Sequence, residues 1–418
     1  MKVNFTGVSM LALTLSTLSV PAVAQVAVAT ATAAPDEDEE IIIVSANRRD
    51  SDILTTPIAI TAVSGAELES RGIVDATKFD NLVPNLKIND QSGQGAGAIN
   101  ITIRGIGNSS FIEIGDPNVA LHVDGVYTAR PQAGFNLLFD AQRMEVARGP
   151  QGTLYGRNAT VGAINIINNR PDASKFSFGA SVGYGRFDEN TVGAVLNVPI
   201  ITDILAVRAT ALYRRRDTMY NLFNDDVAES IFRTRFGFNL DDSPYRKRYG
   251  RGLTDNKGAG SIQQFTYRLS AQLTPIEDLS IYGSYEHFDN ESPFNPLTTT
   301  DAPYSAWLST PHFLDQKIES IRGEIKYDAF DTVELKGVYG KQNYFHENLF
   351  DLDGGQVRFS PEYLCSTGSP RCKNRQAGDV IDDFEQTFYD RAWETESQSF
   401  EITAASSYDS RLQWLAGY

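Results

Sequence analysis

Phe265-Thr266-Tyr267-Arg268-Leu269-Ser270-Ala271-Gln272-Leu273 is the stretch that decides the fold of this chain. Apolar and polar side chains alternate through it without a break. Because successive side chains of a β-strand point to opposite faces, the run predicts a strand with one apolar face and one polar face.

The same alternation recurs along the second half of the chain. It covers residues 176–184, 192–198, 205–213, 265–273, 279–285, 321–327, 333–339, 400–406 and 412–418. These segments, of roughly ten residues each, are longer than typical soluble strands, and several end in tyrosine, as in an interfacial aromatic girdle. About nine strands of a transmembrane β-barrel are predicted, and a soluble β-sandwich is the alternative.

The connections between these segments alternate in length. Residues 199–203, 275–278, 328–331 and 407–411 are short, whereas 215–264, 290–316 and 347–395 are long. Only the first outer turn, 186–190, breaks this order. Outer-membrane barrels have short periplasmic turns and long outer loops, so the pattern favours the barrel over the sandwich.

The N-terminus predicts export. Lys2, an apolar run over 8–20 and Ala22-Val23-Ala24 predict a signal peptide at 1–24; a membrane anchor is the alternative, but the run is short. No later segment has 18 consecutive apolar residues, which excludes a helical membrane protein. Residues 25–47 read as a flexible arm because their composition cannot build a core.

Composition and motifs exclude other classes. The net charge of -16 argues against nucleic-acid binding. No catalytic constellation, metal site or cofactor motif is found, and Gly105-Ile106-Gly107 lacks the third glycine of a dinucleotide fingerprint, so we predict no enzyme. Cys365 and Cys372 are predicted to form a disulfide in an outer loop, with a zinc site the weaker reading.

Residues 48–172 are predicted to form an α+β domain. A helix is expected over 66–78, with Ser64 as its N-cap and Glu67 completing a capping box. Strands are expected at 99–104, 119–126 and 144–146. A glycine-rich segment then leads into 163–167.

Four motifs in this domain resemble the plug domain of TonB-dependent receptors. They are Ile103-Arg104-Gly105-Ile106-Gly107, Val123-Asp124-Gly125-Val126-Tyr127, the run from Glu145 through Arg148-Gly149-Pro150-Gln151-Gly152-Thr153-Leu154-Tyr155-Gly156-Arg157-Asn158, and Gly162-Ala163-Ile164-Asn165-Ile166. The resemblance covers the chain from about residue 40 to its end.

The resemblance implies an outer-membrane active transporter whose plug sits inside a 22-stranded barrel and is pulled by the inner-membrane TonB complex. About nine strands are present, so residues 173–418 are expected to be the N-terminal part of an incomplete barrel. The expected cargo is an extracellular ferric siderophore. The alternatives are a saccharide or another nutrient and, from another class, a passive porin-like channel or a soluble binder.

The resemblance also implies a TonB box, formed by Ile42, Ile43, Val44, Ser45 and Ala46. A short β-prone strip can pair with a partner's strand through main-chain hydrogen bonds. The acidic residues before it are expected to keep it solvated and available. An ordinary first strand of the plug is the alternative.

The plug motifs contribute structural residues. They are Arg104, Gly105, Asp124, Gly125, Arg148, Gly149, Gly152, Gly156 and Arg157. The glycines are expected to serve turns of positive φ or close backbone approach. The three arginines are candidates to pair with carboxylates that line the barrel, such as Glu286, Glu324 or Glu334, but the sequence does not assign individual pairs.

Ligand contacts are expected on outward plug loops and on the long outer loops of the barrel. The candidates are Gln94, Asn108, Trp307 and Trp393. Aromatic side chains in such loops offer flat surfaces on which a ligand can stack.

Overall fold

The computed structural model describes residues 43–45, 51–54, 56–73, 76–90, 99–107, 116–129, 138–223, 259–293, 305–307, 313–329, 332–351, 388–407 and 413–418. The predicted signal peptide, the acidic leader, Cys365 and Cys372 lie outside these residues.

The described plug region contains three small sheets and three short helical segments. Its strands are β1 Ile43–Val44, β2 Ser51–Asp52, β3 Ile60–Ser64, β4 Leu86–Asp90, β5 Ile99–Ile103, β6 Ile106–Gly107, β7 Val119–Val123, β8 Val126–Tyr127, β9 Ala141–Arg148 and β10 Gly162–Asn168. Its helical segments are α1 Gly65–Ser70, a 3-10 helix Ala76–Asn81 and α2 Gly152–Tyr155.

The largest plug sheet has the order β3-β9-β10-β7-β8. Strands β10 and β7 run parallel, and β10 and β9 run antiparallel. Leu68 of α1 and Phe79 pack against Met144, Val146 and Ile164 in a buried apolar core. The plug therefore has its own core.

The predicted helix over 66–78 is wrong in its extent. Ser64 does cap α1, because its Oγ accepts the Glu67 N–H at 3.2 Å. Gly72 then adopts φ +62° and donates to Glu69 O, while Ile73 donates to Leu68 O. This pair of bonds is a Schellman ending, which stops the helix after Ser70.

The second half of the described chain forms a nine-stranded antiparallel sheet. In order it contains β11 Ser177–Gly185, β12 Glu189–Ile201, β13 Leu205–Arg216, β15 Ile262–Ile276, β16 Leu279–Asn290, β18 Phe313–Ala329, β19 Val333–Asp351, β20 Phe388–Ser406 and β21 Leu415–Gly417. Two short strands, β14 Asn221–Phe223 and β17 Ser305–Trp307, pair in parallel. Each of the nine predicted segments overlaps one strand of the large sheet.

The two faces of this sheet reverse the pattern of a soluble protein. On the apolar face Leu269 is 52% exposed, Ile325 53% and Phe400 60%. On the polar face Arg268 and Arg322 are each 3% exposed. A soluble β-sandwich would bury its apolar face, whereas a barrel in lipid turns that face outward.

The turns also follow the predicted alternation, but the later strands are longer than expected. β18, β19 and β20 span 17, 19 and 19 residues. β19 includes residues 340–351 and β20 includes residues 388–395, and the sequence shows no apolar stripe in either range. A strand that extends beyond the lipid has water on its outer face, so alternation no longer marks it.

None of the helices in the described ranges is both long and apolar enough to cross a membrane.

Candidate functional site

The strip predicted to be a TonB box is partly described, and it is docked on the plug. Ile43 and Val44 form β1 and pair with Asp52 and Ser51 of β2. Val44 is completely buried. Ile42 and Ala46 lie outside the described residues.

Ser45 fastens this strip to the plug sheet. Its N–H donates to Glu145 Oε1 at 3.0 Å, and its Oγ lies 3.0 Å from Glu145 Oε2. Asn165 Nδ2 donates to the same Oγ at 2.9 Å, and the Tyr155 hydroxyl donates to Ser45 O at 3.4 Å. We call Ser45, Glu145, Asn165 and Tyr155 the Ser45 node.

The plug sheet explains why these groups meet. Glu145 of β9 and Asn165 of β10 are direct cross-strand partners, so their side chains share one face. Glu145 is 2% exposed and also accepts Arg143 Nε at 2.8 Å, so its buried carboxylate is well satisfied. The expectation of a solvated, available strip is wrong for this state of the protein.

The motif glycines of the plug mostly lie in left-handed turns. Gly105, Gly125, Gly149 and Gly156 have positive φ, whereas Gly152 begins α2 without it. Arg104 and Asp124 precede two of these glycines and share the left-handed conformation.

Two of the three motif arginines, Arg148 and Arg157, make other contacts than those suggested by the sequence. Arg148 donates to Pro84 O at 3.3 Å, and Arg157 lies over the Tyr127 ring. The barrel carboxylates have other partners. Glu286 pairs with Arg322 at 2.7 Å, Glu334 with Lys326 at 2.7 Å and Glu324 with Lys336 at 2.9 Å.

Two residues that the sequence analysis missed join the plug to the sheet. Asp140 accepts Arg208 Nε at 2.8 Å and Arg268 Nη2 at 3.2 Å. Arg170 donates to Glu324 at 3.2 Å and lies 3.7 Å from the centroid of the Tyr282 ring. The sequence did contain a signal for these contacts. Arg208 of β13 and Arg268 of β15 occupy polar, inward-facing positions, and a buried cation needs a partner.

Asp124 lies in the β7–β8 turn among several cations. It accepts the Asn168 N–H at 2.9 Å and Asn168 Nδ2 at 2.8 Å. Burial alone would raise the pKa of Asp124, but Arg170, Arg322 and the Asn168 N–H outweigh it and hold the pKa below its ordinary value. The carboxylate therefore stays charged although it is buried.

A cavity of about 380 Å³ lies between the Ser45 node and the barrel strands β18 and β19. Ser45, Tyr155 and Asn165 line its plug side. The barrel side is lined by Glu324, Lys326, Glu334 and Lys336. Within the described part of the chain, no group of three His, Cys, Asp or Glu side chains is arranged to hold a metal ion.

A family model decides the identification. The TonB-dependent Receptor Plug Domain matches residues 52–163, which include strands β3 to β9 and most of the motif residues. Residues 52–163 of this chain are the plug domain of a TonB-dependent receptor. These receptors are a family of outer-membrane receptors and transporters rather than a class of enzymes.

Relatives and solved structures agree with this family. The pesticin receptor of Yersinia pestis is 35% identical over 137 residues, which are 32% of this chain and 19% of that protein. The vitamin B12 transporter of Vibrio vulnificus strain YJ016 is 25% identical over 151 residues, 36% of this chain and 24% of that protein.

Among solved structures, the ferric yersiniabactin uptake receptor from Yersinia pestis has a similar fold. The match has a TM-score of 0.64 and 19% identity, and it covers 86% of this chain and 47% of that receptor. The chain thus spans about half the length of the solved receptor that it matches.

The predicted ligand-contacting residues of this receptor are only partly visible. Gln94 and Asn108 lie outside the described residues, and only the backbones of Trp307 and Trp393 are described. Trp307 pairs with Phe223 between β17 and β14. Trp393 was expected in a loop but lies in β20, paired with His346 of β19.

Proposed function

We propose that the receptor imports its cargo by TonB-coupled transport, with the plug as the gate and residues 42–46 as the coupling site. The observation that carries this proposal is the Ser45 node. It holds a short β-prone strip on the plug by specific hydrogen bonds, and a strip held in this way can be released.

Release is needed because the docked strip cannot serve a partner. Val44 is buried, β1 already pairs with β2, and both the N–H and the carbonyl of Ser45 are engaged. A TonB strand that pairs through main-chain hydrogen bonds needs these groups free. Binding of cargo shifts the strip from docked to free only if cargo binds the released state more tightly.

We propose a ferric siderophore as the cargo. A relative of similar fold takes up ferric yersiniabactin, and this favours an iron chelate. The B12 transporter among the relatives favours cobalamin as the second candidate. No feature of the described residues favours a saccharide.

Deletion of residues 42–46 tests the coupling. The variant should bind cargo at the cell surface as before and should not accumulate it inside the cell. The matched control shortens the arm elsewhere, by deleting residues 28–32, and should transport normally. Uptake retained by the strip deletion would indicate passive diffusion through a porin-like channel.

A panel of labelled compounds tests the cargo. Cells that express the receptor would be given ⁵⁵Fe bound to catecholate, hydroxamate and phenolate siderophores, or labelled cobalamin. We expect receptor-dependent uptake of at least one iron chelate, abolished by a protonophore. Uptake of cobalamin alone would replace the iron assignment but leave TonB coupling intact.

A further inference from the structure

We propose that the outward face of the barrel sheet carries a docking site for an anionic glycolipid of the outer leaflet, the class to which lipopolysaccharide belongs. A fatty acyl chain lies in a groove of the apolar face, and the charged sugars lie on a cluster of polar side chains above it. This inference rests on the outer-membrane location of the receptor and does not depend on its cargo or on TonB.

A groove of about 480 Å³ lies on the outward face of the sheet. Its small residues are Ala209 of β13, Ala271 of β15 and Gly283 of β16. Ala271 and Gly283 are cross-strand partners, and Leu269 and Tyr285 form the next outward pair on the same strands. A row of small side chains beside a row of large ones leaves a depression, and because this face is turned to lipid, hydrocarbon fills it.

Gly283 makes the groove deeper than the packing of the chain requires. Its backbone does not have a positive φ, and a Cβ at this position would meet no heavy atom of the described chain within 4 Å. A glycine in the interior of a strand weakens the strand, and it often marks a place where a ligand approaches the backbone closely. We therefore assign the space above Gly283 to a molecule outside the chain.

A cluster of polar and aromatic side chains begins directly above the groove, on the side of the long outer loops. We call its members, Tyr267, His287, Asp289, Lys317 and Glu319, the outer cluster. His287 and Glu319 are cross-strand partners, as are Asp289 and Lys317. Tyr285 links the cluster to the groove, because its ring lines the groove and its hydroxyl donates to Glu319 Oε1 at 3.3 Å. Groove and cluster form one continuous surface, apolar below and polar above.

The outer cluster contains groups that suit a sugar. The rings of Tyr267 and His287 stack with their centroids 5.3 Å apart, and together they present a surface that is partly apolar. Asp289 Oδ2 lies 3.0 Å from His287 Nε2, whereas Asp289 Oδ1 has no hydrogen-bond partner in the described chain. The Asp289 side chain is 38% exposed, so a small rotation of its carboxylate brings Oδ1 to a sugar hydroxyl.

Two lysines on this face provide cations for the anionic group of the lipid. Lys317 Nζ lies 2.9 Å from Asp315 Oδ1, and Lys341 Nζ lies 3.2 Å from Glu396 Oε1. All four side chains are partly exposed. Because exposed ion pairs of this kind contribute little to stability, each lysine can turn from its carboxylate to a phosphate at small cost.

The position and chemistry of this surface favour a glycolipid over other membrane components. The long loops place the outer cluster at the external leaflet, where glycolipid is the main lipid. A phospholipid headgroup would offer a phosphate but no sugar ring for Tyr267 and His287. A second copy of the barrel would have to bury the charges of the outer cluster, and that desolvation is costly. A lipid headgroup leaves them at the water interface.

Binding of diphosphorylated lipid A to the purified, delipidated receptor tests the site, with phosphatidylethanolamine as the competing lipid. Native mass spectrometry counts the bound lipids and reports the oligomeric state. The wild type should bind lipid A in preference to phosphatidylethanolamine. Gly283→Leu fills the groove and should weaken this binding several-fold. Gly337→Leu adds the same side chain to an outward glycine of β19 that also faces open space but lies outside the groove, and it should bind as the wild type does.

The outer cluster is tested separately, so that the result does not depend on the folding of a groove variant. Lys317→Gln removes a cation and should weaken lipid A binding by about tenfold, the value of one hydrogen bond to a charged group. Lys175→Gln is the matched control, because Lys175 is also an exposed lysine beside a carboxylate, that of Asp172, but precedes β11 at the end of the short turns. The deacylated sugar headgroup should bind in a manner that depends on Lys317 and not on Gly283.

Several results would overturn the proposal. They are lipid A binding no tighter than that of phosphatidylethanolamine, equal losses in Gly283→Leu and Gly337→Leu, equal losses in Lys317→Gln and Lys175→Gln, or receptor dimers that Gly283→Leu abolishes in place of bound lipid. Deletion of residues 42–46 should leave lipid A binding unchanged. Failure of the transport proposal and failure of the lipid site are therefore measured independently.

Discussion

At the scale of single residues, Ser45 is the point at which the strip is fastened to the plug. Ser45→Ala removes the side-chain bonds to Glu145 and Asn165 but keeps the backbone N–H of residue 45. Two such bonds are worth about 1–3 kcal/mol, so the free strip should become roughly 5- to 150-fold more populated. Hydrogen exchange at residues 43–45 measures this population.

Ser70→Ala is the matched control for Ser45→Ala. Ser70 is exposed, and its Oγ donates locally to Glu67 O at 2.9 Å within α1. Its replacement should leave exchange in the strip unchanged. Unchanged exchange in Ser45→Ala would mean that Val44 burial alone holds the strip.

Asp124 makes the stability of the plug depend on pH in the acid range. Its folded-state pKa is lowered, so the stability it contributes is complete at neutral pH. That stability falls once the pH drops below the unfolded value of about 3.9 and is lost below the folded pKa. Protease protection of the plug in the detergent-solubilised receptor, followed from neutral pH downward, measures the loss.

Asp124→Asn should remove this part of the acid dependence. The variant should be less protected than wild type at neutral pH, and the two should converge in acid. Asp172→Asn serves as the control, because Asp172 is more exposed and its pKa is lowered mainly by the hydrogen bonds from Ser174. Parallel curves for wild type and Asp124→Asn would contradict the assigned role.

The residues of the candidate site were only partly predictable from the sequence. The strip was found because its apolar composition follows an acidic leader. Asp140 was missed because it belongs to no motif, and its place between Arg208 and Arg268 depends on how the plug sits in the barrel. Contacts between distant segments leave no local pattern, so the sequence did not show that Glu286, Glu334 and Glu324 pair with cations of the barrel strands themselves.

At the scale of secondary-structure elements, β8 and β19 meet at a position that requires glycine. A Cβ at Gly340 would overlap Val126. Gly340→Ala should therefore weaken plug docking by about 1–3 kcal/mol through overpacking. Protection of the plug from protease, followed as the urea concentration is raised, measures this loss.

Relief of the overlap provides the sharper test of the β8–β19 contact. Val126→Ala combined with Gly340→Ala should recover most of the docking lost in the single variant. Gly283→Ala and Gly337→Ala are controls on the same sheet, since a Cβ at either position meets open space. If these controls lose as much protection as Gly340→Ala, the effect comes from the strand and not from the contact.

The elements themselves were predicted with uneven success, for physical reasons. The nine barrel strands follow from alternation because lipid on one face and the plug or lumen on the other demand opposite chemistry. Residues 347–351 of β19 and 388–395 of β20 were predicted as part of a loop. Outside the lipid the two faces of a strand no longer need opposite polarity, so the alternation stops before the strand does. The helix α1 was drawn too long because Leu68, Ile73 and Ala76 kept helical spacing beyond Gly72.

At the scale of the whole molecule, the exposed apolar face fixes what surrounds the barrel. Leu269 lies in the middle of the outward row formed by Phe265, Tyr267, Ala271 and Leu273 of β15, and half of its surface is exposed. Tyrosines lie above it and the short β15–β16 turn lies below. This position corresponds to the centre of the apolar band.

A charged side chain at position 269 tests whether lipid or water covers this face of the sheet. Leu269→Arg should destabilise the assembled barrel by about 2–4 kcal/mol, the cost of a cation near the bilayer midplane. Resistance of the membrane-inserted receptor to urea extraction measures the change. Leu269→Ala isolates the loss of side-chain area, and Glu394→Arg adds the same charge to an exposed site on β20 beyond the apolar stripe. If Leu269→Arg were tolerated as well as Glu394→Arg, water would have to cover this face. That result would contradict the conclusion that the outward apolar row of β15 faces lipid.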